Sequence, residues 1–152
     1  MNVDGNERMM NHASPILASA CLLGEPCRYD GKAQPCAAVQ ALGDKRELVP
    51  VCPEQLGGLP TPRTPSEIQP DGRVVDRDGI DRSEEFRKGA REALRIAREH
   101  GCTCAVLKSR SPSCGVRDIY DGTFTGTTVT GRGVTATMLG NAGLTLYDEN
   151  DF

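Results

Sequence analysis

Three short apolar runs, residues 16–20, 48–52 and 104–107, constrain this chain more than any other feature, because each breaks off at or near a loop that carries a cysteine. The first shows no polar alternation and reads as a strand covered on both faces, and the other two read as further strands. Pro50 removes one amide donor from the second run and argues for an edge or a bulge there. Between the second and third runs lies the clearest helix. Phe86, Ala90, Ala93, Leu94 and Ala97 recur three or four apart, with charged residues over much of the remaining surface. Ser83 is the expected cap at its start, and His100 with Gly101 marks its end. Shorter helices are expected at 35–42 and 134–139, threonine-rich strand pieces at 125–129, and a fourth strand at 144–147. Residues 56–73, with prolines at 60, 62, 65 and 70, read as one long loop, and the Asp-Gly pairs at 71–72 and 78–79 suggest a small hairpin.

Strands alternating with helices predict an α/β fold, a single compact domain with a mostly parallel sheet flanked by helices. The 152 residues exclude two large domains. The domain is expected over 15–152, after a flexible leader at 1–14 whose pattern has neither helical nor strand period. With 18 basic and 21 acidic side chains, net charge -3, the chain lacks the broad positive field that phosphate-held nucleic acid requires, which disfavours a nucleic-acid partner. No apolar run approaches the roughly 18 residues of a membrane span, and the start lacks the order of a secretion signal. A cytoplasmic protein without a membrane partner is the expectation.

Seven cysteines, an odd number, cannot complete an internal disulfide framework, which brings metal or redox chemistry forward. If the three runs are parallel strands, Cys21 and Cys52 emerge at their carboxyl ends, and the loop after Leu107 brings Cys114 to the same edge. Cys114 lies in Lys108-Ser109-Arg110-Ser111-Pro112-Ser113-Cys114-Gly115, where proline and glycine shape a turn with hydroxyls and amides around the sulfur. Glu54, two residues beyond Cys52, is a candidate proton acceptor; Lys108 is a candidate for stabilising negative charge, and Ser109 or Ser111 for orienting substrate or water. Each also has a plain reading as a turn or surface residue. Cys27, Cys36, Cys102 and Cys104 read as core residues, although Cys102 and Cys104, one residue apart, would share a side of an extended strand. His12 and His100 give no support for a histidine dyad, and the glycines between 115 and 133 do not form a dinucleotide fingerprint. A cysteine nucleophile at Cys52 with Glu54 as its base, and a structural metal module, both stay open on these residues.

Four stretches together resemble one family. They are Ser19-Ala20-Cys21-Leu22-Leu23-Gly24 with Arg28-Tyr29-Asp30-Gly31; the run from Val51-Cys52-Pro53-Glu54 to Thr61-Pro62-Arg63; Leu107 to Gly115; and Tyr120-Asp121-Gly122-Thr123-Phe124. In these the chain resembles the domain-of-unknown-function 523 family, associated in part with bacterial thiouracil desulfidases, over nearly all of its length after residue 14. The resemblance implies that Cys21, Cys52 and Cys114 bind a 4Fe-4S cluster whose fourth iron has no protein ligand. It implies non-redox desulfuration of 2-thiouracil, a small thiolated pyrimidine, with water consumed and uracil and sulfide released. Glu54 would move protons, Ser111 or Ser109 position the ring or water, and Lys108 assist. Tyr29, Tyr120 and Phe124 are available as walls for a flat ring. Cys27 departs from the family pattern, and as a fourth ligand it would close the open iron. The alternatives are sulfur transfer on thiolated tRNA or another metabolite, with Arg63, Lys108, Arg110 and Arg117 as a local basic patch, and a non-enzymatic metal-binding module.

Overall fold

The computed structural model describes residues 14–152, so the leader expected at 1–14 lies outside them except for Ser14. In chain order the elements are β1 (Ile16–Ser19), α1 (Ala37–Ala41), β2 (Leu48–Val51), α2 (Pro53–Leu56), β3 (Ser66–Ile68), β4 (Val74–Asp76), α3 (Ser83–His100), β5 (Cys104–Leu107), β6 (Asp118–Tyr120), β7 (Thr128–Thr130), α4 (Val134–Asn141) and β8 (Thr145–Asp148). The expected parallel sheet is present. Its order is β2-β1-β5-β8, with every neighbouring pair parallel.

β1 and β5 are buried along their whole length, as their unbroken apolar pattern requires. Alternate side chains feed two apolar clusters. Leu17, Ala105 and Leu107 pack with Ala97 of α3 and Leu139 of α4, while Ile16, Cys104 and Val106 pack with Val39 and Leu42 at α1. Each fully buried leucine or isoleucine contributes about 1.5–3 kcal/mol by leaving water. β2 lies at the sheet edge, where the exposed Pro50 leaves no interior ladder bond unmade. From β1 the chain runs outward to β2, then crosses to β5 on β1's other side. The strand order therefore reverses between β1 and β5, and their carboxyl ends open a crevice there.

Several local expectations change. The first strand stops at Ser19, because Ala20–Leu23 winds into a 3-10 turn that already contains Cys21. The second stops at Val51, and Cys52 is the N-cap of α2, with Pro53 at its first position. The 56–73 loop is interrupted by β3, which pairs antiparallel with β4 and makes Asp71-Gly72 the hairpin turn. Three residues of strand among prolines carry too little periodicity to be read from sequence. β6 was hidden in the same way, and pairs with β7. Helix α1 is shorter than 35–42 and continues as a 3-10 turn, Leu42–Asp44, through Gly43. Ser83 begins α3 without capping it: its Oγ accepts the Val74 N–H at 3.0 Å, and the Asp81 carboxylate takes the Ser83 N–H at 2.8 Å instead. Cys102 and Cys104 fall into opposite apolar clusters, because Cys102 precedes the strand and lies in the turn after α3.

Two glycines seat α2. A side chain at Gly89 of α3 would overlap the Pro53 carbonyl, and one at Gly57 would overlap the Glu85 carbonyl. Helix α2, which begins at Cys52 and carries Glu54, is thereby held against α3 at backbone contact.

Candidate active site

All four parallel strands deliver residues to one cavity of about 630 Å³ at their carboxyl ends. Beyond β1 comes Cys21; beyond β2, Cys52 and Glu54; beyond β5, Lys108, Ser109, Ser111 and Cys114; beyond β8, Glu149. The three candidate cluster ligands and Glu54, Lys108, Ser109 and Ser111 thus line the same space, whereas Arg117 of the considered basic patch does not. Cys27, Tyr29, Tyr120 and Phe124 line it as well.

Ser111 folds the Cys114 turn. Its Oγ accepts the N–H groups of Ser113 at 3.0 Å and Cys114 at 2.9 Å, and its carbonyl accepts that of Gly115 at 2.8 Å. The hydroxyl proton of Ser111 is spent on none of these bonds. Ser113 turns inward, and its hydroxyl pairs with Thr135 at 2.8 Å. Gly133 lets α4 approach so closely that a methyl there would strike the Ser113 carbonyl. Burial pushes the Cys114 thiol up to about 12, against hydrogen bonds from Ser19 and Ser113 that favour the thiolate. Ser19 also takes the Lys108 N–H at 2.9 Å, so one buried hydroxyl ties the ends of β1 and β5 together.

The other thiols influence one another. The Cys52 thiol donates to the Cys27 carbonyl at 3.6 Å, and the neighbouring Cys21 side chain, then burial, carries the Cys27 thiol up to about 11 against an opposing influence of Cys52. Cys52 is raised by its bond with Cys27 and then by burial. With both raised, Cys27 and Cys52 keep their protons at neutral pH in the metal-free chain, and a metal must displace them. All seven cysteines are free. Among the described residues no three His, Cys, Asp or Glu side chains gather as ligands of one metal ion, whereas an iron-sulfur cluster takes one thiolate per iron. Thiols from three separate chain segments, Cys21 and Cys114 buried and Cys52 half-buried, around a cavity of this size are a donor set that fits a cluster.

Glu54 is held by Arg63, whose Nε donates to Oε1 at 2.9 Å; the two side chains are 16% and 5% exposed. Arg63 also donates to the Cys27 carbonyl at 3.0 Å and to Thr61 Oγ1 at 2.9 Å. On the opposite wall Glu149 accepts the Ser109 N–H at 2.8 Å, the Ser109 hydroxyl at 3.0 Å and Lys108 Nζ at 3.0 Å. Lys108 reaches the Ser109 carbonyl and hydroxyl as well, so its three donors are all engaged. Burial pushes the Glu149 carboxyl up, but the Ser109 N–H and the Lys108 ammonium outweigh it and hold the group below the usual carboxylate range. Its stabilising contribution is therefore complete above the unfolded pKa of about 4.3 and is lost as pH falls through the lower folded value. Glu149→Ala strands Lys108 and the Ser109 amide together. We expect it to destabilise the fold by about 2 kcal/mol or more in urea unfolding at pH 7. An unchanged midpoint and slope would show that the contact carries no stability.

The flat walls come from the β6–β7 hairpin. Phe124 sits at φ 58, with its N–H on the buried Glu67 carboxylate at 3.1 Å and the Arg77 guanidinium 5.7 Å from its ring centre. Glu67 also holds the Gly122 N–H at 2.9 Å. The four cations considered for a basic patch each have an acidic neighbour: Arg63 with Glu54, Lys108 with Glu149, Arg117 with Asp148 and Asp151, and Arg110 with Asp118 at 3.9 Å.

Ser19, Arg63, Glu67 and Glu149 were not singled out for the cavity. Glu149 could have been found by the strand-end rule applied to the run at 144–147, and Ser19 by its place at the end of the first. Glu67 had no such signal, since it lies on a strand too short to see.

A model of the 2-thiouracil desulfurase family matches residues 16–151. A Bacillus subtilis (strain 168) protein, YbbK, described as uncharacterized, is 40% identical over 145 residues, covering 90% of this chain and 96% of YbbK. The solved structure of a 4Fe-4S-dependent thiouracil desulfidase, TudS, superposes with a TM-score of 0.84 at 42% identity, covering 90% of this chain and 91% of that one.

Proposed function

This chain belongs to the 2-thiouracil desulfurase family, and on that premise we propose that it is an iron-sulfur enzyme converting 2-thiouracil and water into uracil and hydrogen sulfide. One observation carries the reading: Cys21, Cys52 and Cys114, from three distant parts of the chain, line a single cavity together with Glu54. These three thiolates would hold the 4Fe-4S cluster. When bound, the cluster supplies a Lewis-acidic iron with affinity for the thiocarbonyl sulfur.

The protein's own residues supply the remainder. Arg63 occupies Oε1 of Glu54 and fixes the carboxylate at the cavity wall, leaving Oε2 to take a proton from the water that attacks the ring carbon. Ser111 has an uncommitted hydroxyl proton in the same cavity and donates it to the pyrimidine or to that water. Ser109 and Lys108 act one step back, because Glu149 engages both, and they hold the strand end that leads to Cys114. Phe124 and Tyr120 bound the space for a flat ring. Carbon keeps its oxidation level, since a carbon-sulfur double bond is exchanged for a carbon-oxygen one, so no electron donor or acceptor is consumed. The paired cations leave little free charge for a thiolated tRNA. No helix among the described residues is long and apolar enough to cross a membrane, and we place the enzyme in the cytoplasm, where its thiols stay reduced.

The test is anaerobic reconstitution with iron and sulfide, followed by turnover of 2-thiouracil without any reductant. Uracil and sulfide should appear in equal amounts. Turnover that requires an electron donor, or uracil formed by iron-free protein at the same rate, would refute the reading.

A further inference from the structure

Cys27 lines the cavity and has no part in the reaction proposed above. It is 4% exposed and stands on the same wall as Cys21, Cys52 and Cys114. Its backbone is fixed from the same side, for its carbonyl accepts the Cys52 thiol at 3.6 Å and Arg63 Nη2 at 3.0 Å. Arg63 therefore orients Glu54 and pins the Cys27 segment with one guanidinium. The remaining cysteines, Cys36, Cys102 and Cys104, are not part of the cavity wall.

Core filling does not account for this arrangement. Cys27 touches the apolar cluster beneath β1, but it also lines the cavity together with three other cysteines. Filler cysteines have no need of such partners. The cavity thus presents four thiols, which is the number that fully ligates a four-iron cluster.

We propose that Cys27 is a fourth, displaceable protein ligand, which binds the iron left open by Cys21, Cys52 and Cys114 while no substrate is present. The Cys27 iron-sulfur bond breaks as the thiocarbonyl sulfur takes its place, and the released thiolate takes up one proton. No electron moves. This inference rests on the cluster assignment made above.

Anaerobically reconstituted wild type, Cys27→Ala and Cys27→Ser, all without substrate, are treated with ferricyanide and followed by electron paramagnetic resonance and iron analysis. A cluster on three thiolates sheds its unprotected iron under mild oxidation and gives the signal of a three-iron cluster; one on four resists. We expect wild type to keep its iron, while both variants lose about one iron in four and develop the signal. The serine variant preserves side-chain volume, so loss of iron in both variants, with circular dichroism unchanged, assigns the effect to the missing thiolate. Equal conversion in all three proteins overturns the ligand role of Cys27 and leaves the cluster standing. Failure of every protein to take up a cluster overturns the cluster assignment, and this inference with it.

Discussion

Cys114→Ala is expected to abolish both iron uptake and desulfuration while leaving the chain folded. Cys114 is the only cysteine that the β5 loop brings to the cavity, and that loop is shaped for it: Ser111 Oγ accepts its amide and that of Ser113. Alanine leaves the backbone of the turn intact, and losing one buried sulfur costs about 1–2 kcal/mol by cavity formation. Iron per chain after anaerobic reconstitution, visible absorbance and uracil production should all fall to background, with circular dichroism unchanged. Cys104→Ala is the matched control. It removes an equally buried sulfur from the start of the same strand, away from the cavity, so it should lose stability but keep its iron. Wild-type iron content in Cys114→Ala would contradict the ligand assignment.

Glu54→Gln separates chemistry from cofactor binding. Glutamine matches the carboxylate in shape and can still accept from Arg63 through its carbonyl oxygen, so the α2 helix and its neighbour Cys52 should stay in place. It cannot take a proton from water. We expect iron content to stay at the wild-type level and kcat to fall by about 10²–10⁴-fold, the range for loss of a positioned proton acceptor. Glu54→Asp keeps the acid but draws it back from Arg63 and should retain part of the rate. If Glu54→Gln turns over like wild type, the water is activated elsewhere in the cavity.

The sheet was legible because β1 and β5 are buried along their whole length, and burial on two faces writes itself as a run without polar alternation, while Pro50 marked β2 as the edge. From parallel strands the convergence of Cys21, Cys52 and Cys114 followed by geometry, since consecutive crossovers leave all carboxyl ends on one edge. The contacts that hold the cavity's side chains in place were not legible. Arg63 reaches Glu54 across a proline-rich turn, and Glu67 reaches the Phe124 loop from a strand of three residues; neither contact leaves a periodic trace in the chain. The roles of the serines also depended on coordinates. Ser109 and Ser111 look alike in sequence, yet one gives its proton to Glu149 while the other accepts two amides and keeps its own. The cysteine-rich character of the chain was plain from composition, but the place of Cys27 on the cavity wall depends on the segment after Leu23, whose Cys27 carbonyl is held by Arg63.

The most direct test of the central claim is anaerobic crystallography of the reconstituted protein, with anomalous diffraction recorded at the iron absorption edge. The account predicts one compact iron peak in the cavity, bounded by the sulfur atoms of Cys21, Cys52 and Cys114 and facing Glu54. Iron located elsewhere, or a cluster to which Cys114 is not bound, would contradict it.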